Sequence, residues 1–197
     1  MIRASAVWTF AGVLLAFPPS WANAQAGGDD HGEVSAQGGV TFGGGSPGIG
    51  AQPTVTAASG AAFSRYGMVL IGATYMPLGN HTIQNWPSPD TINRSHLMDF
   101  GVDFHIRIPV RDKWEPYFIA GGGVLWNFLQ AESVNSAGAR VVKQYDQVNG
   151  AFHTGGGVRY YVGEQWGIRP EVKVIVSKQI YTSISMGVFY SLPAGWP

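Results

Sequence analysis

The chain has 197 residues, no cysteine, and equal numbers of basic and acidic residues, so its formal net charge is zero. Charged residues make up 12% of it, about half of the roughly 25% usual in soluble globular proteins, while aromatic residues reach 13%. This charge balance leaves no electrostatic footprint for nucleic acid, and the cysteine count excludes disulfides, thiolate metal sites and a lipid-modified N-terminal cysteine.

The first 24 residues are predicted to be a secretory signal peptide. Arg3 supplies the positive region, residues 4–17 the apolar core, and Ala22-Asn23-Ala24 the small-x-small cleavage site. A membrane anchor is the alternative, but this apolar core is shorter than the roughly 20 residues that span a bilayer. Cleavage leaves residues 25–32 as a linker and a remainder of single-domain length, in which no apolar run is long enough for a membrane helix.

Eight strands are predicted beyond the linker, because apolar and polar residues alternate along each segment. They cover about residues 33–42, 53–64, 67–78, 95–108, 116–130, 149–161, 166–177 and 183–191. The connections at 43–52, 79–94 and 131–147 are predicted to be long loops, and those at 64–66, 109–115 and 163–165 short turns. Alternating short and long connections are typical of membrane barrels, which also have even strand numbers.

The fourth strand carries the clearest alternation. Residues 100, 102, 104, 106 and 108 are Phe, Val, Phe, Ile and Ile, whereas Asp99, Asp103, His105 and Arg107 occupy the opposite face. In a membrane the polar row must face inward, because each basic group at the bilayer midplane costs about 2–4 kcal/mol. The glycine triplets at 121–123 and 155–157 also favour a narrow barrel, whose lumen has room for few large side chains.

The chain resembles the outer-membrane β-barrel domain family, the small eight-stranded barrels similar to OmpX and to the membrane domain of OmpA. The resemblance covers residues 33–192 and rests on Gly-Gly-Val-Thr-Phe at 38–42, Tyr-Phe-Ile-Ala-Gly-Gly-Gly at 117–123 and Gly-Gly-Gly-Val-Arg-Tyr at 155–160. It implies an all-β fold, an eight-stranded antiparallel up-and-down transmembrane β-barrel in the bacterial outer membrane. Members commonly end on an aromatic residue, whereas this chain continues into a tail at 193–197.

Two sets of residues are the candidate functional positions. A polar network is predicted to fill the lumen, because buried charges must be paired; it comprises Asp99, Asp103, His105, Arg107, Glu115, Arg159, Arg169, Glu171 and Lys173. Aromatic residues near the strand ends are predicted to lie at the membrane interfaces; they are Phe42, Tyr75, Trp114, Trp126, Tyr160, Trp166 and Tyr190.

The predicted role is non-enzymatic, either structural or in surface interaction, for a monomer embedded in outer-membrane lipid. An extracellular partner is expected to contact the loops at 79–94 and 131–147. No cofactor, metal or nucleic acid is expected. His31, His81 and His96 lack the short spacing of a preformed metal-binding pair.

Two alternatives remain open. One is a lipid-acting enzyme resembling the lipid A deacylases, which use a lipid-facing His-x-Ser pair; here His153 is followed by Thr154 and Gly155, and it falls on the predicted inner face. The other candidates for such chemistry are Ser183 and Ser185, each combined with His105 or His153. The second alternative is a soluble, lipocalin-like ligand carrier in the periplasm.

Overall fold

The computed structural model describes residues 31–43, 50–83, 91–108, 110, 113–134 and 138–192, and these form strands and their connections. The predicted signal peptide and the C-terminal tail lie outside the described residues. The strands are β1 (Gly32–Gly43), β2 (Gln52–Ser64), β3 (Gly67–Ile83), β4 (Thr91–Arg107), β5 (Trp114–Val134), β6 (Arg140–Tyr161), β7 (Trp166–Val176) and β8 (Ile180–Leu192).

Each strand pairs antiparallel with its neighbours in sequence, and β1 also pairs with β8, so the sheet closes into a barrel. This confirms the predicted eight-stranded antiparallel up-and-down fold. Closure leaves no unpaired edge within the barrel, since every strand has a neighbour on both sides. The end that carries Gly32, Leu192 and the β2–β3, β4–β5 and β6–β7 turns is called the terminal end, and the opposite end the loop end.

The predicted long loops at 79–94 and 131–147 are wrong in extent. The β3–β4 ladder continues to the pair Ile83–Thr91, and the β5–β6 ladder continues to the pair Val134–Arg140. These segments lack clean alternation in the sequence, but pairing satisfies their backbone hydrogen-bonding groups whatever the side chains are. Residues 84–90 and 135–137 of these connections lie outside the described part of the chain.

The strands sort their side chains as the alternation predicts, with polar residues inside and apolar residues outside. On β4, His105 and Asp99 are buried whereas Phe104 and Ile106 are exposed on the outer surface. Such exposed apolar side chains surround the barrel, including Phe118 of β5 at 60% exposure and Val188 of β8 at 54%. Soluble monomers rarely expose a continuous apolar patch of this extent, so the outer surface is suited to lipid.

Candidate functional site

All nine residues of the predicted polar network lie on the inner face of the barrel. Together with Glu33, Tyr117 and His153 they form two clusters and a smaller group between these clusters. The lower cluster, nearer the terminal end, consists of Glu33, Arg107, Glu115, Arg159 and Arg169. The upper cluster, nearer the loop end, consists of Asp99, Asp103, His153 and Lys173. Between them lie His105, Tyr117 and Glu171.

The lower cluster is centred on Glu33, whose carboxylate joins two arginines from other strands. Arg159 Nε donates to Glu33 Oε2 at 3.0 Å, and Arg169 Nη1 donates to Glu33 Oε1 at 2.7 Å. The side chains of Arg159 and Glu33 are fully buried. Glu115 Oε1 lies 3.5 Å from Arg159 Nη1 and 3.7 Å from Arg107 Nη1, which extends the pairing across the lumen. The charges of this cluster are therefore paired rather than exposed to a channel.

Tyr117 connects the lower cluster to the rest of the lumen. Its hydroxyl donates to Glu171 Oε2 at 2.7 Å, its ring stacks on His105 with centroids 4.6 Å apart, and the Arg159 guanidinium lies over the same ring at 4.5 Å. Arg159 Nη2 lies 3.1 Å from His105 Nδ1. Because a guanidinium only donates, this imidazole nitrogen must accept, and His105 is neutral in this arrangement.

The upper cluster is built around His153, which is fully buried. His153 Nδ1 lies 2.7 Å from Asp103 Oδ1, and His153 Nε2 lies 3.1 Å from Asp99 Oδ1. Lys173 Nζ donates to Asp103 Oδ2 at 3.3 Å. The imidazole fits because Gly101 faces it from β4: a Cβ atom at Gly101 would collide with His153 Cε1.

The hydrogen bonds of His153 determine its charge. Both ring nitrogens face carboxylates, which accept hydrogen bonds, so both nitrogens act as donors and the ring is an imidazolium. The described residues then contribute equal numbers of opposite charges to the lumen network. The carboxylates are Glu33, Asp99, Asp103, Glu115 and Glu171, and the cations are Arg107, Arg159, Arg169, Lys173 and His153.

Apolar side chains fill the lumen around the polar groups. At the loop end they form one packed layer, made of Met76, Leu97, Leu125, Ile175 and Tyr181. A second group, Ala62, Met68 and Leu70, packs beside the polar network, since Met68 is opposite His105 and Leu70 is opposite Asp103 in the ladder. Nearer the terminal end, Tyr161 contacts Phe189 edge to face at 5.0 Å. The lumen is therefore a packed interior, as the small diameter of eight strands requires.

Three members of the lumen network, Glu33, Tyr117 and His153, are absent from the predicted set. All three belong to the predicted inner rows, so their orientation is visible in the sequence. Their contacts are not, because Glu33 meets arginines 126 and 136 residues away across the lumen. Charge balance gives no signal for them either, since the predicted set already contains four carboxylates and four arginine or lysine side chains.

The seven predicted interfacial aromatic residues lie on the outer face in two groups. Trp114 pairs with Tyr160 and Trp166 pairs with Tyr190 in the ladder at the terminal end. The remaining three, towards the loop end, are Phe42, Tyr75 and Trp126. Trp114 and Trp126 are twelve residues apart on β5. This spacing corresponds to about 30 Å along the barrel axis, for about 3.3 Å per residue and a tilt of about 40°.

A four-stranded sheet projects beyond the loop-end aromatic group. It is made of the far parts of β3, β4, β5 and β6, joined by the register pairs Ile83–Thr91, Ile92–Glu132 and Val134–Arg140. On β6, pairing with β7 begins only at Phe152. The projecting sheet therefore has an outer strand, residues 141–149 of β6, whose ladder partner among the described residues is β5 alone.

The contacts of the candidate catalytic residues do not bring a histidine nitrogen to a serine hydroxyl among the described residues. Each nitrogen of His153 contacts a carboxylate, and Ser185 Oγ lies 2.8 Å from the side-chain amide of Gln37. In the described ranges no group of three or more metal-ligating side chains comes together. The same residues include no helix with the length and hydropathy needed to cross a membrane.

Comparison with known proteins identifies the fold. No protein-family model and no curated protein sequence matches the chain. Among solved structures, Neisserial surface protein A is 15% identical with a TM-score of 0.53, over 81% of this chain and 96% of its own. The attachment invasion locus protein Ail of Yersinia pestis is 8% identical with a TM-score of 0.56, over 83% and 99%. A major outer membrane protein of Thermus thermophilus is 8% identical with a TM-score of 0.55, over 82% and 99%.

Proposed function

With the fold of the small eight-stranded outer-membrane β-barrels as the premise, we propose that this chain is a non-enzymatic outer-membrane protein with a structural or surface-interaction role. Its outer surface meets lipid, and its projecting sheet makes the contacts outside the cell. The observation that carries the proposal is the division of the molecule into a filled, charge-balanced barrel and a sheet that extends past the loop-end aromatic group.

The height of the apolar belt supports a membrane location. The estimated 30 Å between the aromatic groups matches the thickness of a bilayer's hydrocarbon core, about 30 Å. Trp114, with 53% of its surface exposed, and Trp126, with 38%, then lie at the two membrane surfaces. In water these side chains and the belt between them would remain exposed, which is the main argument against the soluble carrier.

The packed lumen supports a role that depends on the outside of the barrel. Arg159 and His153 are fully buried, and an apolar layer covers the charges at the loop end. A solute path would require these ion pairs to separate, and a buried charge without its partner is strongly destabilising. His153 is enclosed in the lumen, where a lipid acyl chain outside the barrel does not reach it.

The outer strand of the projecting sheet supports the surface-interaction role. Tyr161 N donates a hydrogen bond to Lys113 O, on the β5 side, and Val162 N donates one to Trp166 O, on the β7 side. The backbone groups of odd-numbered residues of β6 therefore point towards β5, and those of even-numbered residues point away from it. Continuing this alternation through the unbroken β5–β6 register directs the backbone groups of Val142, Gln144 and Asp146 away from β5. Such an edge can pair with an extended segment of a partner protein.

Single-cysteine labelling tests the location and orientation, since the chain has no cysteine of its own. Lys143 is exposed on the projecting sheet, and Lys113 is exposed at the terminal end. In intact cells, a membrane-impermeant maleimide is expected to label Lys143→Cys and not Lys113→Cys. Permeabilising the outer membrane is expected to make both react.

The two lysine positions serve as controls for each other, because both are exposed and lie at opposite ends of the barrel. Protection of both cysteines until permeabilisation, with the protein recovered in periplasmic extract, would establish the soluble carrier instead. Labelling of Lys113→Cys alone in intact cells would reverse the orientation and remove the projecting sheet from the cell surface.

A shortened hairpin separates the structural role from the surface role. Leu129 and Tyr145 are register partners whose backbone groups face each other, so an Asn-Gly turn can replace residues 130–144 without disturbing the barrel below. In a strain that lacks the protein, both forms are expected to restore detergent resistance if the barrel supports the membrane. Only the full-length form is expected to restore attachment of cells to one another or to a matrix-coated surface. Equal attachment by both forms would remove the projecting β5–β6 hairpin from the proposal.

A further inference from the structure

Tyr75 and His96 form a polar pair on the outer face of the barrel, where apolar side chains prevail. Tyr75 Oη lies 2.8 Å from His96 Nδ1, and the two rings stack with an interplanar angle of 15° and centroids 5.9 Å apart. Both side chains are half-buried. A histidine in this position is not explained by the lumen network, which lies on the other face of the same strand.

The pair lies at the level of the loop-end aromatic group. In the ladder Tyr75 is opposite Met98, which in turn is opposite Trp126, and His96 is opposite Phe128. Trp126 and Phe128 stack with ring centroids 4.6 Å apart. Aromatic residues in such a group lie at the depth of the lipid headgroups, so in the membrane His96 would be next to headgroups of the outer leaflet.

The hydrogen bond to Tyr75 determines what His96 offers to a ligand. A phenol is a stronger acid than a neutral imidazole, and an imidazole nitrogen is a better acceptor than a phenol oxygen, so the hydroxyl of Tyr75 donates to Nδ1. The ring proton is then on Nε2, which is the remaining donor of the imidazole. No hydrogen-bond partner of Nε2 is found among the described residues. The pair therefore presents a fixed donor at the membrane boundary, where an anionic oxygen makes a stronger hydrogen bond than a neutral one.

We propose that Tyr75 and His96 form a binding site for the phosphate group of an outer-leaflet lipid, an inference that rests on the membrane location proposed above. His96 Nε2 donates to a phosphate oxygen, and Tyr75 holds the imidazole in the required tautomer and orientation. Phe128 lies beside His96, and the neighbouring Met98 and Trp126 side chains offer the acyl chains an apolar surface just below. The ligand class is thus a phosphorylated lipid. A free phosphate ion would contact only the polar part of the site and not its apolar surface.

The experiment uses the full barrel, purified in a non-ionic detergent and labelled with 15N at histidine. Dihexanoyl phosphatidic acid is the probe, dihexanoylglycerol is the lipid without phosphate, and inorganic phosphate is the headgroup without lipid. Phosphatidic acid is expected to shift the His96 Nε2 resonance in a saturable way, whereas dihexanoylglycerol is expected to leave it unchanged. Inorganic phosphate is expected to bind at least tenfold more weakly than phosphatidic acid.

Variants connect this response to the two residues. Binding to the variants is measured from the 31P resonance of the lipid. His96→Phe is expected to weaken binding of phosphatidic acid about tenfold, which corresponds to about 1.4 kcal/mol. Tyr75→Phe keeps the imidazole but loses the hydrogen bond, so a smaller weakening is expected. Tyr190→Phe is the matched control, because Tyr190 is an outward tyrosine at the terminal end whose hydroxyl donates to Gln165 Oε1 at 2.6 Å. This control is expected to bind as the unmodified protein does.

Several outcomes would overturn the proposal. Unchanged binding by His96→Phe would show that the phosphate is held elsewhere, and an equal response to dihexanoylglycerol would show that phosphate is not recognised. Inorganic phosphate binding as tightly as phosphatidic acid would make the free ion the ligand. Each sample is first shown to be folded by its heat-dependent gel mobility. A negative result in these binding experiments would not decide whether the protein lies in the membrane. The cysteine labelling tests that location independently.

Discussion

Replacing Arg159 by methionine is expected to lower the free energy of unfolding by about 3–5 kcal/mol, the usual cost of breaking a buried ion pair by removing one partner. Arg159 contacts two carboxylates, Glu33 and Glu115, and also lies over the Tyr117 ring. Without its guanidinium the lumen carries an uncompensated negative charge that water does not reach. Urea unfolding from lipid vesicles, followed by the fluorescence of the tryptophans, measures the change.

Two further variants show whether charge pairing is the cause. Arg159→Met combined with Glu33→Gln removes one charge of each sign, and it is expected to recover more than half of the lost stability. Lys178→Met removes a cation from the exposed β7–β8 turn and is expected to change stability by less than about 0.5 kcal/mol. If the double variant is as unstable as the sum of its single variants, the two side chains act separately and the ion-pair explanation is wrong.

Replacing Gly123 by valine is expected to prevent the barrel from closing, with a loss of about 4 kcal/mol or more. A Cβ atom at this inner-face position would collide with the Phe100 carbonyl oxygen and lie 2.7 Å from Gly101 Cα. Both contacts are with the β4 backbone, which cannot move away without losing its ladder to β5. On an unboiled gel the variant is expected to run only at the position of the unfolded chain.

Gly38 provides the matched control for this substitution. It is also a glycine within a strand, but on the outer face, where a Cβ atom would have nothing within 4 Å. Gly38→Val is therefore expected to fold and to show the heat-dependent mobility of the unmodified barrel. Normal folding of Gly123→Val would mean that the β4 and β5 backbones are further apart in solution than in this structure.

The faces of the strands could be predicted from the sequence, whereas the contacts inside the lumen could not. In β4 the alternation of Phe100 and Phe104 with Asp99 and Asp103 determines which side chains face inward. Which inward groups meet depends on the stagger of strands around the ring, and no local pattern encodes it. For this reason His153 is visible as an inner residue, but its pairing with both aspartates is visible only in three dimensions.

The extent of the strands was predictable only where the outer face is apolar. Around Trp126 the alternation is strong because outer-face and lumen-facing positions differ in polarity. Beyond it, residues 140–147 of β6 have exposed side chains on both faces where these are described, so no alternation marks the strand. Backbone pairing with β5 continues there without that signal, and this is why the sequence predicts loops where the structure has the projecting sheet.

The position of Glu33 in the first strand has a consequence for the order of folding. Its partners, Arg159 and Arg169, follow 126 and 136 residues later, so neither ion pair can form inside a local hairpin. Contacts between such distant residues are slow to form, because the entropy of closing the intervening chain opposes them. A partly assembled sheet would carry the unpaired Glu33 carboxylate into the bilayer at a high cost. Joining of β1 to β8 is therefore expected to be the late, rate-limiting event, and membrane entry to be cooperative over the entire ring.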